Sequence, residues 1–288
     1  MDFKRIEWIF FLVFLGVNIF LFSIYREGLK DENNMSYSDQ TESLDSRLKK
    51  ENIKHKGELS VKRSHGYYLS GEQTNYTDTI HQQRIDRGDN TFFWYNVEIT
   101  DNGLINYPSN HYVDPTEVGD TFTGFLNDND SVLFGSEYQY LPQFSNLNGD
   151  FPELIAAQSY GGIPFNDGTA QLTASLEKNE TDDLLKINKY TQSHIENIEE
   201  LREKSELYSE RDAVETLYIN NKIPSNSSIT FTKLAYSRIY KIRDKNVYVP
   251  VWFVGISSNE TTLQVEQINA MSNTIISSNT VIRVEKDE

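Results

Sequence analysis

Apolar residues are spread unevenly along the chain, and the densest run is Ile6 to Tyr25, IEWIFFLVFLGVNIFLFSIY, in which Glu7 is the sole charge. Twenty residues at the helical rise span about 30 Å, the hydrocarbon thickness of a bilayer. The run is apolar all round its circumference, which predicts a transmembrane helix over 6–25 rather than a surface helix. A cleaved signal peptide is the competing reading, but it ends in a small-x-small site. The exit here is Phe22-Ser23-Ile24-Tyr25-Arg26-Glu27, which offers none. The pattern therefore divides the chain into a tip (1–5), an anchor (6–25), a polar stalk (26–40) and a folded remainder.

Beyond the stalk the periodicities predict an α+β ectodomain of antiparallel sheets with packed helices. A helix is expected near Thr41 to Ile53, with Leu44 and Leu48 as an i, i+4 pair. Phe92 to Ile99 and Leu104 to Tyr107 flank Asn102-Gly103 and predict a hairpin, since both turn residues tolerate positive φ. The chain turns loop-rich from Pro142 to Gly168, which sets a soft boundary between halves 41–165 and 166–288. The charged stretch from Asp182 to Glu206 suits a helix through Ile195, Ile198 and Leu201, or a long solvated strand. Glu210 to Asn220 is a firmer helix, with Ser209 as N-cap, Asp212 at N3 and an apolar stripe of Ala213, Val214, Leu217 and Tyr218. Strands follow over 228–236, 246–256 and 262–276, with a last one at 280–284. Pro250 cannot donate to a ladder and predicts an edge or bulge. The slip of apolar phase after Val265 predicts a bulge near Gln267. A helix followed by strands thus occurs around 41–107 and again around 210–284, the pattern of a duplication.

The predicted anchor has two distinguishable faces. Gly16 and Ser23 share one with Leu12, Ile19 and Phe20. Asn18 lies on another with Phe11, Phe14, Phe22 and Tyr25. An amide at mid-membrane gains about 0.6–2 kcal/mol by bonding to a second helix, or else turns back on its own backbone. Leu12, Gly16, Asn18, Ile19 and Ser23 are therefore the candidate partner-binding residues. Lys4 and Arg5 before the helix are matched by Arg26 and Lys30 after it, and the α-amino group tips the orientation toward N-terminus inside.

Charge narrows the function classes. Lys plus Arg is 27 against 43 Asp plus Glu, a net −16, and the four charges of residues 1–25 cancel. The acidic excess lies wholly beyond the anchor and disfavours nucleic acid or an anionic wall polymer as partner. Cysteine is absent, so disulfides, thiolate metal sites and a thiol nucleophile are excluded. No phosphate-binding loop, serine elbow or zinc-protease motif occurs. His55, His65, His81, His111 and His194 are never three or four apart. Asn127-Asp128-Asn129-Asp130-Ser131 opens like a calcium loop, but Leu133 and Gln139 stand where glycine and glutamate belong, so an acidic turn is expected. Neither catalytic residue, metal nor cofactor is predicted.

Several segments carry a resemblance. Met1-Asp2-Phe3-Lys4-Arg5-Ile6-Glu7-Trp8-Ile9-Phe10 with Leu15 to Leu21 resembles the anchor of the YycI family. Leu48 to Ile53, Gly66-Tyr67-Tyr68-Leu69-Ser70-Gly71, Ser209-Glu210-Arg211-Asp212-Ala213, Leu217 to Pro224 and Val247-Tyr248-Val249-Pro250-Val251-Trp252 resemble it in the same order. Asn273 departs from it, standing where related modules often show Thr-Gly before the apolar strand. The resemblance implies a Gram-positive accessory protein of the essential cell-wall two-component system, without enzymatic activity. It further implies a single-pass protein with its ectodomain outside the cell, in complex with the sensor histidine kinase YycG (WalK) and the sister protein YycH. Anchor and ectodomain would both contribute contacts. The alternative is a tethered module that senses a wall fragment or peptide, with Tyr248, Trp252 and the aromatics 92–95 lining a cleft; core packing is the commoner fate of such aromatics.

Overall fold

The computed structural model describes residues 7–8, 10–22, 43–87, 96–147, 151–178, 183–259 and 262–283. It divides into two compact units, Met1–Leu48 and Lys49–Glu288. In the first unit residues 10–22 are helical, and each of their side chains is exposed. No helix among the described residues is long and apolar enough to cross a membrane. The outer residues of the expected span, Ile6, Ile9 and 23–25, fall outside the described ones, as do the stalk and the aromatics 92–95.

The helix expected near 41–53 is α1 (Leu44–Lys50), which buries Leu44 and Leu48 as their spacing predicts. Short strands β1 (Lys54–His55) and β2 (His65–Gly66) lead to β3 (Leu69–Gln73) and α2 (Tyr76–Arg87). The predicted hairpin is β4 (Val97–Thr100) and β5 (Gly103–Asn106), turning at Asp101-Asn102. Neither turn residue takes a positive φ. Gly103 serves another need: a Cβ there would lie 2.2 Å from the Gln192 carbonyl oxygen. β6 (Tyr112–Val113) and α3 (Val118–Leu126) precede a 3-10 turn (Gly135–Glu137) and β7 (Tyr138–Tyr140). Then come β8 (Glu153–Tyr160), β9 (Ile163–Pro164), β10 (Gln171–Lys178), β11 (Leu185–Gln192), β12 (Ile195–Glu200) and β13 (Ser205–Glu206). The stretch 183–206 thus holds strands rather than a helix: Leu185, Ile187 and Tyr190 of β11 are buried, while Glu196, Glu199 and Glu200 of β12 pair with β3 along a solvated edge.

After α4 (Glu210–Ile219) the chain forms β14 (Ser228–Ile242), β15 (Lys245–Asn259), β16 (Thr262–Asn269) and β17 (Thr274–Arg283). The helix has the capping box predicted for it, Ser209 accepting from Asp212 N and the Asp212 carboxylate from Ser209 N. The expected single strand 262–276 is instead a hairpin. Asn273 takes φ 54° and turns the chain back, while Asn269 Oδ1 accepts from Met271 N. The ladder does slip between Val265 and Gln267, where a bulge was predicted.

Two sheets result. One has the path β1-β14-β15-β16-β17, with β3 and β12 branching from β15; the other has the path β4-β5-β11-β10-β8-β7, with β6 and β9 attached. Among the described strands the pairings are antiparallel except β1 on β14, and an isolated bridge between Phe165 and Tyr236 is also parallel. Pro250 lies in the interior of β15, not at an edge, and the branch explains why. β3 pairs with β15 through Tyr248, and β16 takes over at Val251. The Pro250 carbonyl accepts from Ala270 N at 2.9 Å on that side, so the absent N–H points into the gap between the two partners. Strands β8 and β10, on either side of residue 165, pair with each other, so the expected halves share a sheet. The duplication pattern does not survive either: β1 and β3 join the later sheet, whereas β4 and β5 join the other.

The largest core lies between the inner face of the eight-stranded sheet (Leu104, Leu154, Leu172, Ala174, Ile187, Tyr190) and helices α2 and α3 (Tyr76, Ile80, Phe122, Phe125). Smaller clusters line the two faces of the other sheet.

Candidate functional site

The anchor-face residues occupy an exposed helix. Leu12 is 56% and Ile19 62% exposed. A Cβ placed on Gly16 meets nothing within 4 Å, so this face is open for another helix to approach. The Asn18 amide donates to the Phe14 carbonyl at 2.8 Å. In the isolated chain it takes the intrahelical option, which occupies one of its two N–H groups. Ser23 lies outside the described residues.

The two ectodomain candidates differ in burial. Tyr248 has no exposed surface. Its ring meets Phe165 edge-on at 5.0 Å, and its hydroxyl bonds Thr169 Oγ1 at 2.8 Å. Burial pushes that phenol above its usual range. Trp252 is half-buried and donates from Nε1 to the Tyr208 carbonyl at 2.8 Å, which ties β15 to the approach of α4. Core packing is thus the fate of Tyr248, and that residue offers no surface to a partner.

The most developed polar cluster was not visible in sequence. It sits at residues 193–194, where β11 of one sheet passes directly into β12 of the other. His194 is 4% exposed. Its Nδ1 lies 2.7 Å from Thr74 Oγ1 and its Nε2 3.1 Å from Glu137 Oε2. Phe134 stacks on the imidazole at 4.1 Å from a left-handed backbone, φ 53°. Gln158 clamps the same point: its amide donates to Glu137 and the Ile195 carbonyl and accepts from Ile195 N at 3.0 Å. The bond from His194 holds the Glu137 carboxyl below its usual range, against the opposing effect of burial.

Hydroxyl, imidazole and carboxylate in a row have the connectivity of a nucleophilic triad. Thr74 is only 5% exposed, however, so no acyl group can reach its oxygen, and the row acts as a fastening between sheets. The acidic turn behaves as predicted: Asp128 accepts from Asp130 N and from the Ser131 hydroxyl at 2.6 Å, and Ser131 also meets His111 Nε2 at 2.9 Å. Among the described residues no group of three or more acidic or histidine side chains is placed to hold a metal ion.

Comparison with known proteins gives one informative match. No curated protein matches the chain by sequence. A solved structure titled an uncharacterized protein from Eubacterium rectale ATCC 33656 is 9% identical, covering 79% of this chain and 91% of that one, at a TM-score of 0.41. A family model described as YycI protein matches residues 31–271. That span takes in nearly all of both sheets, the cluster at His194 and the capping box at Ser209, and the chain belongs to the YycI family.

Proposed function

We propose that this protein is a single-pass membrane regulator that binds the sensor kinase YycG and, together with YycH, sets its activity. The YycI family is one of regulatory accessories rather than enzymes, and membership points to a role in the YycFG system. The observation that carries the finer reading is the helix over 10–22, whose apolar side chains are all exposed. Phe10 at 72%, Phe14 at 69% and Phe20 at 63% exposure are costly in water and at ease among lipid or other helices. The apolar run 6–25 has the number of residues that a bilayer-spanning helix needs, and on this reading the ectodomain stands outside.

Regulation requires the protein to bind one state of the kinase more tightly than the other. The Gly16 face allows close helix contact, and the Asn18 amide can exchange its bond to Phe14 for one across a helix interface. The test is co-purification of YycG with tagged full-length protein, beside a version in which 6–25 is replaced by an unrelated anchor. Recovery of the kinase with the native helix alone supports the reading and makes the helix the binding site. Recovery with both places the contact in the ectodomain. Recovery with neither overturns the reading in favour of a tethered ligand sensor. Gly16→Leu and Asn18→Leu, on different faces, are expected to weaken different pairings.

A further inference from the structure

The inner face of the eight-stranded sheet is occupied by the core, but its outer face is not. Register places Ile105, Thr191, Thr173 and Ile155 side by side across β5, β11, β10 and β8 on that face. At the end of this row, where β5 and β10 run into their loops, lies a cleft of about 270 Å³. Its polar side chains are hydroxyls and amides: Thr100, Asn102, Gln171, Thr173, Thr191 and Ser193. Leu104, Ile105 and two glycines, with Gln192, complete the lining. None of the eleven residues is charged, in a chain of which 24% is charged.

Both walls are fixed in place. On one side Gly103 touches the β11 backbone at Gln192 so closely that no side chain fits. On the other, Gly168 lies in a loop pinned at three points. Asp167 accepts from Thr169 N and from Arg238 N of β14, each at 2.8 Å, and Gln73 Nε2 donates to the Thr169 carbonyl at 2.9 Å. Ser193 Oγ is likewise engaged, accepting from Gln171 N at 2.9 Å. Thr191 and Asn102 are exposed, and Gln171 and Thr173 half-buried, so all four can be reached from solvent.

We infer that this cleft binds an uncharged saccharide. Hydroxyls and carboxamides each donate and accept, the pattern that matches the hydroxyls and N-acetyl groups of a sugar. Pre-formed walls remove the ordering cost that a weak polar ligand cannot meet. A charged ligand is disfavoured, because the lining holds no countercharge to offset its lost hydration. The charged residues that adjoin the lining in sequence, Asp101 between Thr100 and Asn102 and Asp167 before Gly168, lie outside it, and Asp167 is already engaged by Thr169 N and Arg238 N. The inference does not rest on kinase binding and goes beyond it.

The experiment is saturation-transfer NMR on the full-length protein in nanodiscs. The probe is the neutral tetramer of N-acetylglucosamine, with its deacetylated, cationic tetramer as comparison. The paired variant Thr173→Val/Thr191→Val removes two hydroxyls while keeping β-branched side chains suited to the sheet. Millimolar binding of the neutral tetramer, weakened about tenfold by the paired variant as expected for two neutral hydrogen bonds, supports the site. An unchanged melting temperature shows that the loss is local. Binding of neither tetramer, equal binding of both, or binding indifferent to the variant overturns it. Kinase co-purification by the same variant reports separately on the regulatory reading.

Discussion

At the scale of the single residue, the Glu137 carboxylate has the clearest chemical consequence. It is held below its usual range chiefly by the bond from His194, aided by the charge of His194 and by Gln158. A carboxyl whose folded value is depressed stabilises the fold above its unfolded value and loses that contribution as pH falls through the folded one. The window therefore opens near the ordinary 4.5 and extends below it. Glu137→Gln is expected to melt at a lower temperature than the parent at pH 6, with the difference narrowing toward pH 3. The side chain is 46% exposed, so solvent screens part of the effect. Parallel melting curves across that range would mean that the His194 bond contributes nothing to stability. None of this could be read from sequence, because Thr74, Glu137, Gln158 and His194 come from separate segments far apart in the chain. Gly103 shows a different limit. Its presence was legible as a turn signal, yet its reason is the backbone of a neighbouring strand at Gln192, far along the chain.

At the scale of elements, what was legible followed how local the deciding interaction is. The box at Ser209 and Asp212 lies within four residues, and α4 begins where it predicts. Ser209→Ala removes the acceptor for Asp212 N in a residue only 2% exposed. The expected cost is about 1 kcal/mol, visible as a melting temperature lower by a few degrees in a domain of this size. Ser209→Asp should restore most of it, whereas an unchanged melt on Ser209→Ala would show the cap to be redundant. The stretch 182–206 was ambiguous because Ile195, Ile198 and Leu201 satisfy a helical period by accident. Its first strand pairs with β10, next to it in the chain, but the partners that complete the arrangement, β5 for the first strand and β3 for the second, are far away in sequence. That Pro250 cannot donate follows from its ring alone, but its place in the ladder depends on a branch from β3 to β16 that no local pattern encodes. The residues of the proposed anchor stand out in the sequence, since apolarity alone marks them. The cleft beneath Thr173 and Thr191 was the hardest, since short polar strand residues have no distinctive period.

At the scale of the whole molecule, the question is whether the two sheets of residues 49–288 are separable, as the expected halves would have been. The two residues Ser193 and His194 carry the chain from one sheet to the other, too few to act as a linker. Gln158 of β8 then bonds both backbone groups of Ile195, the first residue of β12, so one side chain spans the junction. Phe165, on the loop after β9, packs between Tyr236 and Tyr248 of the other sheet. Such cross-sheet fastening predicts one cooperative unit. In native-state hydrogen exchange of the full-length protein, the central amides of β10 and of β15 are expected to share one opening free energy. Gln158→Leu leaves a buried N–H and a buried C=O of Ile195 unpaired, at about 1–3 kcal/mol each. If the sheets open together, that loss appears equally at β10 and at β15, although the two strands belong to different sheets. If they are independent, it appears at the edges of the seam alone, and β10 and β15 retain different protection. The first outcome has a consequence for signalling: a ligand on the outer face of the eight-stranded sheet would then stabilise β15 as well, which gives occupancy at Thr191 a route to the far sheet without any hinge between them.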